Sequence, residues 1–126
     1  MDAFVDAVIL VDFLRNYSPS LQWRNTNTNL LIAISPFVWM EVIAGAQNKV
    51  HQQKAAQFLK QFTLMYPTQA DIKWAMKQFQ AYHLSNNVGI LDCLIAAPCY
   101  RQQLPLYTRN LKHFTPLLGA LAQQPY

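Results

Sequence analysis

The chain has 126 residues, of which 52% are hydrophobic and 13% are charged, and its formal net charge at pH 7 is +4. This length corresponds to a single domain, residues 1–126, that can bury a substantial core, and the low charge content excludes a disordered chain. The sequence contains no run of 18 apolar residues and no basic leader segment. We therefore expect a soluble, cytoplasmic protein with no membrane partner.

The first part of the chain alternates strand-like and helix-like patterns. Ala3 to Asp6 predicts a short buried strand, and Ile9 to Asn16 predicts an amphipathic helix. The segment from Tyr17 to Thr28 is rich in Asn, Ser, Thr and Pro and predicts a loop. The apolar run Leu30 to Ile34 is typical of a parallel core strand.

The next segments are mostly helical. Ser35 and Pro36 predict the N-cap and first turn of a helix that ends near Gly45. Further helices are predicted over Gln52–Phe62, from Thr68 to the break at Ser85–Asn87, and over Gly89–Gln102, where Pro98 should introduce a kink.

The last elements predicted are a strand over Leu104–Thr108 and a turn over Asn110–Phe114. Strands separated by helices indicate an α/β fold, with a central, mostly parallel sheet flanked by helices. Ligands of such folds bind beyond the carboxyl ends of the strands, which is where Asp6 falls.

Three of the six acidic residues lie in apolar surroundings, where an ionised carboxylate is costly to desolvate. They are Asp6, Glu41 and Asp92. No Lys or Arg lies within five residues of Glu41 or Asp92 to neutralise either charge. The simplest explanation is that the three carboxylates converge and share a divalent cation.

Two of the other acids and two of the histidines are interpreted as residues outside any functional site. Asp12 is expected to be a solvated acid near Arg15, and Asp71 a charge that stabilises the start of its helix. His51 and His83 are expected at the surface.

Two other kinds of site are not supported. Cys93 and Cys99 lack zinc-ligand spacing and are interpreted as small buried hydrophobic residues in a reducing compartment. A small-molecule phosphatase would need a glycine-rich loop to hold phosphate, and the chain has only three glycines.

Four segments carry recognisable motifs. The first has two apolar residues, Asp, and an apolar run. The second has a Ser cap with an acid six positions on and a trailing Gly-Ala, and the third reads Asp-x-Leu-Ile-Ala-Ala. The fourth reads Thr-x-Asn-x-x-x-Phe. These four segments are, in chain order, Phe4–Arg15, Ile34–Ala46, Leu91–Ala97 and Leu106–Phe114. Together they resemble the PIN-domain nucleases, and in particular the VapC-type toxins of type II toxin–antitoxin systems.

This resemblance implies a three-layer PIN-like sandwich and a metal-dependent endoribonuclease that hydrolyses RNA phosphodiester bonds with Mg²⁺ or Mn²⁺. It also implies a cognate antitoxin protein that neutralises the toxin, and a homodimer. The oxygen ligands present in the chain are those that such hard cations select.

The resemblance also assigns roles to individual residues. Asp6, Glu41 and Asp92 correspond to the metal ligands, and Asn110 is the fourth member of the catalytic set. Thr108 would orient Asn110 or a water molecule. Arg109 would contact a substrate phosphate or would simply be an exposed arginine in a turn.

The chain departs from the family pattern at several positions. Ala7 and Val8 replace the hydroxyl or amide residues that commonly follow the first Asp, and His113 replaces an acid. Pro98 follows the Asp92 motif, and Asn110 is neutral. These departures favour an alternative function, a catalytically weak or inactive PIN-fold protein that acts by binding RNA or a partner.

Overall fold

Five short parallel strands form the centre of the protein in the computed structural model, which describes residues 1–126. They lie in the order β3-β2-β1-β4-β5, and every neighbouring pair is parallel. Their bounds are β1 Ala3–Val5, β2 Ile32–Ile34, β3 Thr63–Leu64, β4 Leu106–Tyr107 and β5 Ala122–Gln123. Every residue of β1 and β2 is buried, as expected for strands covered by helices on both faces. The predicted α/β fold is confirmed, with a sheet that is entirely parallel.

Seven α-helices flank this sheet, and a short 3₁₀ turn precedes β5. Their bounds are α1 Ala7–Leu14, α2 Ser18–Thr26, α3 Pro36–Ala44, α4 Lys49–Leu59, α5 Gln69–Asn86, α6 Ile90–Gln102 and α7 Leu111–Leu118. Helix α3 packs against α1 and α4 and also touches α6, while α6 packs against α5 and α7. None of the helices combines the length and apolar character needed to cross a bilayer.

The loop predicted over residues 17–28 is wrong, because Ser18–Thr26 forms α2. Its polar composition suits a loop, but Pro19 lies in the first turn of the helix, where proline is tolerated. Trp23 stacks on Phe13 at 6.3 Å between ring centroids and meets Tyr107 edge-on at 5.0 Å. These long-range aromatic contacts override the local preference.

The turn predicted over residues 110–114 is also wrong, because Asn110 is the N-cap of α7. Phe114, Leu117 and Leu118 are buried on one side of this helix. Their spacing is helical, and Pro116 disguises it in the sequence.

The other differences concern the start of one helix and two short strands. Helix α4 begins at Lys49, because the Asn48 side chain accepts a hydrogen bond of 2.9 Å from the His51 N–H. Strands β3 and β5 have two residues each, too few for a periodic pattern, and neither was predicted. Cys93 and Cys99 are buried and unpaired, as expected.

Candidate functional site

Asp6 lies directly after the central strand β1 and forms the N-cap of α1. Its Oδ1 accepts a hydrogen bond of 2.8 Å from the Ala7 N–H, and its Oδ2 accepts one of 2.9 Å from the Thr108 hydroxyl. The residue is only 8% exposed. Burial raises the pKa of Asp6, and the negative charge of Asp92 adds to that rise, while the two hydrogen bonds oppose it.

Glu41 projects from α3, whose residues Val38 and Val42 anchor the helix in the core. It is exposed, and it is the one acidic side chain in the protein with no hydrogen bond or ion pair to another residue. Partial desolvation raises the pKa of Glu41, and the charges of Asp6 and Asp92 raise it further. A carboxylate facing two others without a cationic partner is an arrangement that a bound cation would relieve.

Asp92 lies in the first turn of α6 and is 18% exposed. Its Oδ2 accepts a hydrogen bond of 2.9 Å from the Gly89 N–H and lies 3.2 Å from His113 Nδ1. A β-carbon at position 89 would lie only 3.2 Å from this oxygen, so glycine allows the close approach. The Oδ1 atom has no partner within the protein.

Thr108 and Asn110 extend the site from the end of β4. Thr108 is fully buried, and its Oγ1 also accepts a hydrogen bond of 2.9 Å from the Asn110 N–H. The Asn110 Nδ2 lies 3.0 Å from His113 Nδ1. Polar contacts therefore run from Asp6 to Asp92 through Thr108, Asn110 and His113, whose Nδ1 either accepts from the Asn110 amide or donates to Asp92.

Asp6, Glu41 and Asp92 thus lie on the side of the carboxyl ends of the strands, near enough for the charges of Asp6 and Asp92 to raise the pKa of Glu41. As the side chains stand, no three acidic, histidine or cysteine side chains are close enough together to hold one ion. The donor set nevertheless fits a hard divalent cation. Both Glu41 oxygens and Asp92 Oδ1 are without protein partners, and each Asp6 oxygen accepts only one hydrogen bond.

Arg109 lies between Thr108 and Asn110 but points to a different acid. Its Nε lies 2.8 Å from Asp12 Oδ2 and its Nη2 3.0 Å from Asp12 Oδ1, a bidentate ion pair. The Arg109 side chain is 35% exposed.

Asp12 is only 1% exposed, so the expectation of a solvated acid is wrong. It does pair with Arg15, as predicted, at 2.9 Å, and it also accepts a hydrogen bond of 2.6 Å from the Tyr126 hydroxyl. Burial favours the neutral acid, but the hydrogen bonds from Tyr126 and Arg109 outweigh it and lower the pKa of Asp12. Two of these partners lie 97 and 114 residues away in sequence, so no local pattern could reveal them.

Asp71 fulfils its predicted role at the start of α5 in a reciprocal pair of hydrogen bonds with Thr68. It is also 1% exposed and forms a bidentate ion pair with Arg101 at 2.9 and 3.2 Å, a contact that the sequence did not indicate. His51 and His83 are exposed, as expected.

A groove of about 470 Å³ lies between α1, α3 and α4. Its apolar residues are Val11, Leu14, Val42, Ala46 and Ala55, and its basic residues are Arg15, His51 and Lys54. Glu41 lies on α3, one of the three helices beside the groove, but it does not line the groove.

The model of the PIN domain family matches residues 3–114. No curated protein sequence matches the chain. Among solved structures, it is similar to a chain of a toxin–antitoxin complex from Klebsiella pneumoniae. The two are 26% identical with a TM-score of 0.81, and the match covers 99% of this chain and 98% of that one.

Two further structures share the fold. A chain of DNA-bound VapBC from Salmonella typhimurium is 20% identical over 100% of both chains, with a TM-score of 0.79. A chain of VapBC2 from Rickettsia felis, bound to a DNA fragment from its promoter, is 20% identical with a TM-score of 0.74. That match covers 94% of this chain and 96% of the other.

Proposed function

This chain belongs to the PIN domain family, and from that premise we propose that it is a metal-dependent endoribonuclease of the VapC toxin type. It hydrolyses RNA phosphodiester bonds and is neutralised by a cognate antitoxin protein. The observation that supports this most strongly is that Glu41 has no partner within the protein and lies near enough to Asp6 and Asp92 for their charges to raise its pKa. Such a cluster is unfavourable unless a cation joins it.

Asp6, Glu41 and Asp92 would hold Mg²⁺ or Mn²⁺, with Asn110 as the fourth member of the catalytic set. When bound, such an ion would lower the pKa of a water molecule and neutralise charge developing on the phosphate. The protein contributes the orientation of the ligands. Thr108 fixes the Asp6 carboxylate, and the Gly89 N–H fixes that of Asp92.

Glu41 is the ligand with freedom to move, because nothing in the protein holds its carboxylate. Asn110 offers an amide that can hydrogen bond to a water molecule or a phosphate oxygen. Contact between Arg109 and a substrate phosphate stays a prediction; it would have to occur while Asp12 holds the guanidinium.

The antitoxin would dock in the groove between α1, α3 and α4. Its apolar floor suits the apolar face of an amphipathic segment, and Arg15, His51 and Lys54 favour acidic side chains on that segment. The similarity to a toxin–antitoxin complex from Klebsiella pneumoniae supports a partner of this kind. A homodimer and a cytoplasmic location belong to the same proposal.

One set of residues favours the alternative of a PIN-fold protein that binds without cleaving. Ala7 supplies only its backbone N–H to Asp6, and Val8 has no polar side-chain atom. Asp6 therefore relies on Thr108 alone for side-chain support. Weak support of a ligand typically lowers metal affinity or activity about 10- to 100-fold.

Cleavage of RNA by the purified protein tests the proposal. With Mn²⁺ or Mg²⁺ the protein should cleave RNA, EDTA should abolish cleavage, and D6N and D92N should each remove it. D2N is the control, because Asp2 lies outside the cluster and Asn retains the acceptor for the Leu31 N–H. Cleavage by D92N would contradict the metal assignment. RNA or partner binding without any cleavage would support the alternative.

A further inference from the structure

Asp12 occupies a buried junction that none of the proposed chemistry uses. Three side chains converge on its carboxylate: Arg15, Arg109 and Tyr126, at 2.9, 2.8 and 2.6 Å. They come from the same helix, from the segment after β4 and from the segment after β5. Full burial with a bidentate guanidinium marks a junction whose geometry is tightly defined.

The Thr108–Asn110 segment is therefore held at two points along α1. The Thr108 hydroxyl bonds to Asp6 at the start of the helix, and the Arg109 guanidinium bonds to Asp12 near its end. Adjacent residues of one short bend direct side chains to two different acids. A shift of Arg109 would move both Thr108 and Asn110, because they are its covalent neighbours.

This coupling matters because of the departures at the first motif. The Asp6 carboxylate accepts one hydrogen bond from the Ala7 N–H of its own helix and one from the Thr108 hydroxyl. With Ala7 and Val8 unable to add another, the orientation of Asp6 depends on where Thr108 lies.

We infer that Asp12 is a positioning residue for the metal site. It holds Arg109, and through Arg109 it fixes Thr108 and Asn110. Asp12 itself contacts neither substrate nor metal. The expected effect on metal binding rests on the proposed function, whereas the positioning of the Thr108–Asn110 segment by Asp12 does not.

A charge-balanced double variant isolates this role. D12N/R109Q removes the Asp12–Arg109 ion pair without changing the net charge, so a change in Mn²⁺ affinity cannot be due to net charge. D71N/R101Q is the matched control. Asp71 is also 1% exposed and also meets an arginine in a bidentate pair, but that pair joins α5 to α6.

Two measurements are made on each purified, folded protein. The first is amide hydrogen exchange of Asn110, whose N–H donates to Thr108 Oγ1, relative to amides in the core of α6. The second is the dissociation constant of Mn²⁺ measured by calorimetry without RNA. D12N/R109Q should accelerate Asn110 exchange selectively and weaken Mn²⁺ binding about ten-fold or more. D71N/R101Q should do neither.

Y126F provides a second variant in case the double variant fails to fold, since it removes one hydroxyl and no charge. It should shift both measurements in the same direction by a smaller factor. Unchanged Asn110 exchange in folded D12N/R109Q or Y126F would overturn the inference, as would equal effects in D71N/R101Q. If the unmutated protein binds no Mn²⁺, the proposed function fails, and hydrogen exchange still decides whether Asp12 positions the segment.

Discussion

The Thr108 hydroxyl donates a hydrogen bond of 2.9 Å to Asp6 Oδ2, joining two buried residues that lie 102 positions apart in sequence. The same hydroxyl oxygen accepts the Asn110 N–H. A single side chain thus ties the end of β4 to the acid at the end of β1, which is the adjacent strand. The site is assembled by sheet topology, because neighbouring parallel strands end at the same edge.

The first prediction concerns this hydroxyl. T108V removes the donor with little change of shape, so the pKa of Asp6 should rise further and Mn²⁺ should bind about ten-fold more weakly. NMR titration of Asp6 and calorimetry with Mn²⁺ measure these two effects. T108S, which keeps the hydroxyl, should behave like the unmutated protein. A T108V protein with unaltered Mn²⁺ affinity would show that Thr108 does not support the ligand.

The second prediction concerns stability and pH without metal. The pKa of Asp6 and that of Glu41 are both raised, so the folded protein binds protons more tightly than the unfolded chain at these groups. The contribution of these two groups to the free energy of unfolding is therefore greatest at pH values below the ordinary carboxyl pKa, and it falls as pH rises through the raised pKa values. E41Q should be more stable than the unmutated protein at pH 7 and equal to it near pH 3, because Glu41 loses no partner. Urea unfolding at both pH values tests this, and a less stable E41Q at pH 7 would contradict it.

Asp12 should behave in the opposite way. Its pKa is lowered, so its contribution to stability is complete above the ordinary value of 3.8 and is lost as pH falls through the lowered value. D12N should lower the free energy of unfolding at pH 7 by about 1 to 3 kcal/mol, since it removes the charged acceptor of the hydrogen bonds from Arg109 and Tyr126 while both arginines keep access to solvent. The deficit should shrink in strong acid. If D12N lowers the free energy of unfolding by the same amount at pH 7 and at pH 2, the loss comes from packing and not from the ionised carboxylate.

A fourth prediction uses the metal as a ligand for the folded state. Mn²⁺ or Mg²⁺ should raise the melting temperature of the unmutated protein and EDTA should reverse the rise, because an ion that binds only the folded protein stabilises it by mass action. The rise should be absent in D6N and D92N and present in D2N. Equal rises in all four proteins would mean that the ion binds elsewhere.

The sequence singled out the three acids of the proposed site but did not indicate the junction at Asp12, for a physical reason. Asp6, Glu41 and Asp92 stand out because their sequence neighbours are apolar. An acid among apolar neighbours is rare in any fold, because removing its carboxylate from water is costly. Asp12 also has apolar neighbours, but the nearby Arg15 offered a sufficient local explanation. The partners that bury it, Arg109 and Tyr126, are brought near only by the completed fold.

The errors in secondary structure have the same origin. Residues 18–26 have the composition of a loop, yet aromatic packing of Trp23 stabilises a helix there. Asn110 suggests a turn and is in fact a helix cap, a role that the same side chain also favours. Local preference fails where distant contacts decide: α2 packs against α1, and α7 packs against α5, α6 and the edge strand β5.

The last prediction addresses the residues that depart from the family pattern. A7T/V8S introduces hydroxyls beside Asp6, where Ala7 is buried at the first position of α1 and Val8 is half-buried. The added donors should support the Asp6 carboxylate, so that Mn²⁺ binds about ten-fold more tightly, at the lower end of the 10- to 100-fold effect typical of residues that hydrogen bond to metal ligands. Val has nearly the shape of Thr, and Ala resembles Ser without its oxygen. A7V/V8A therefore controls for packing and should leave the affinity unchanged. Calorimetry with Mn²⁺ on the three proteins decides the matter, because equal affinities in A7T/V8S and A7V/V8A would show that hydroxyls at these positions do not support the site.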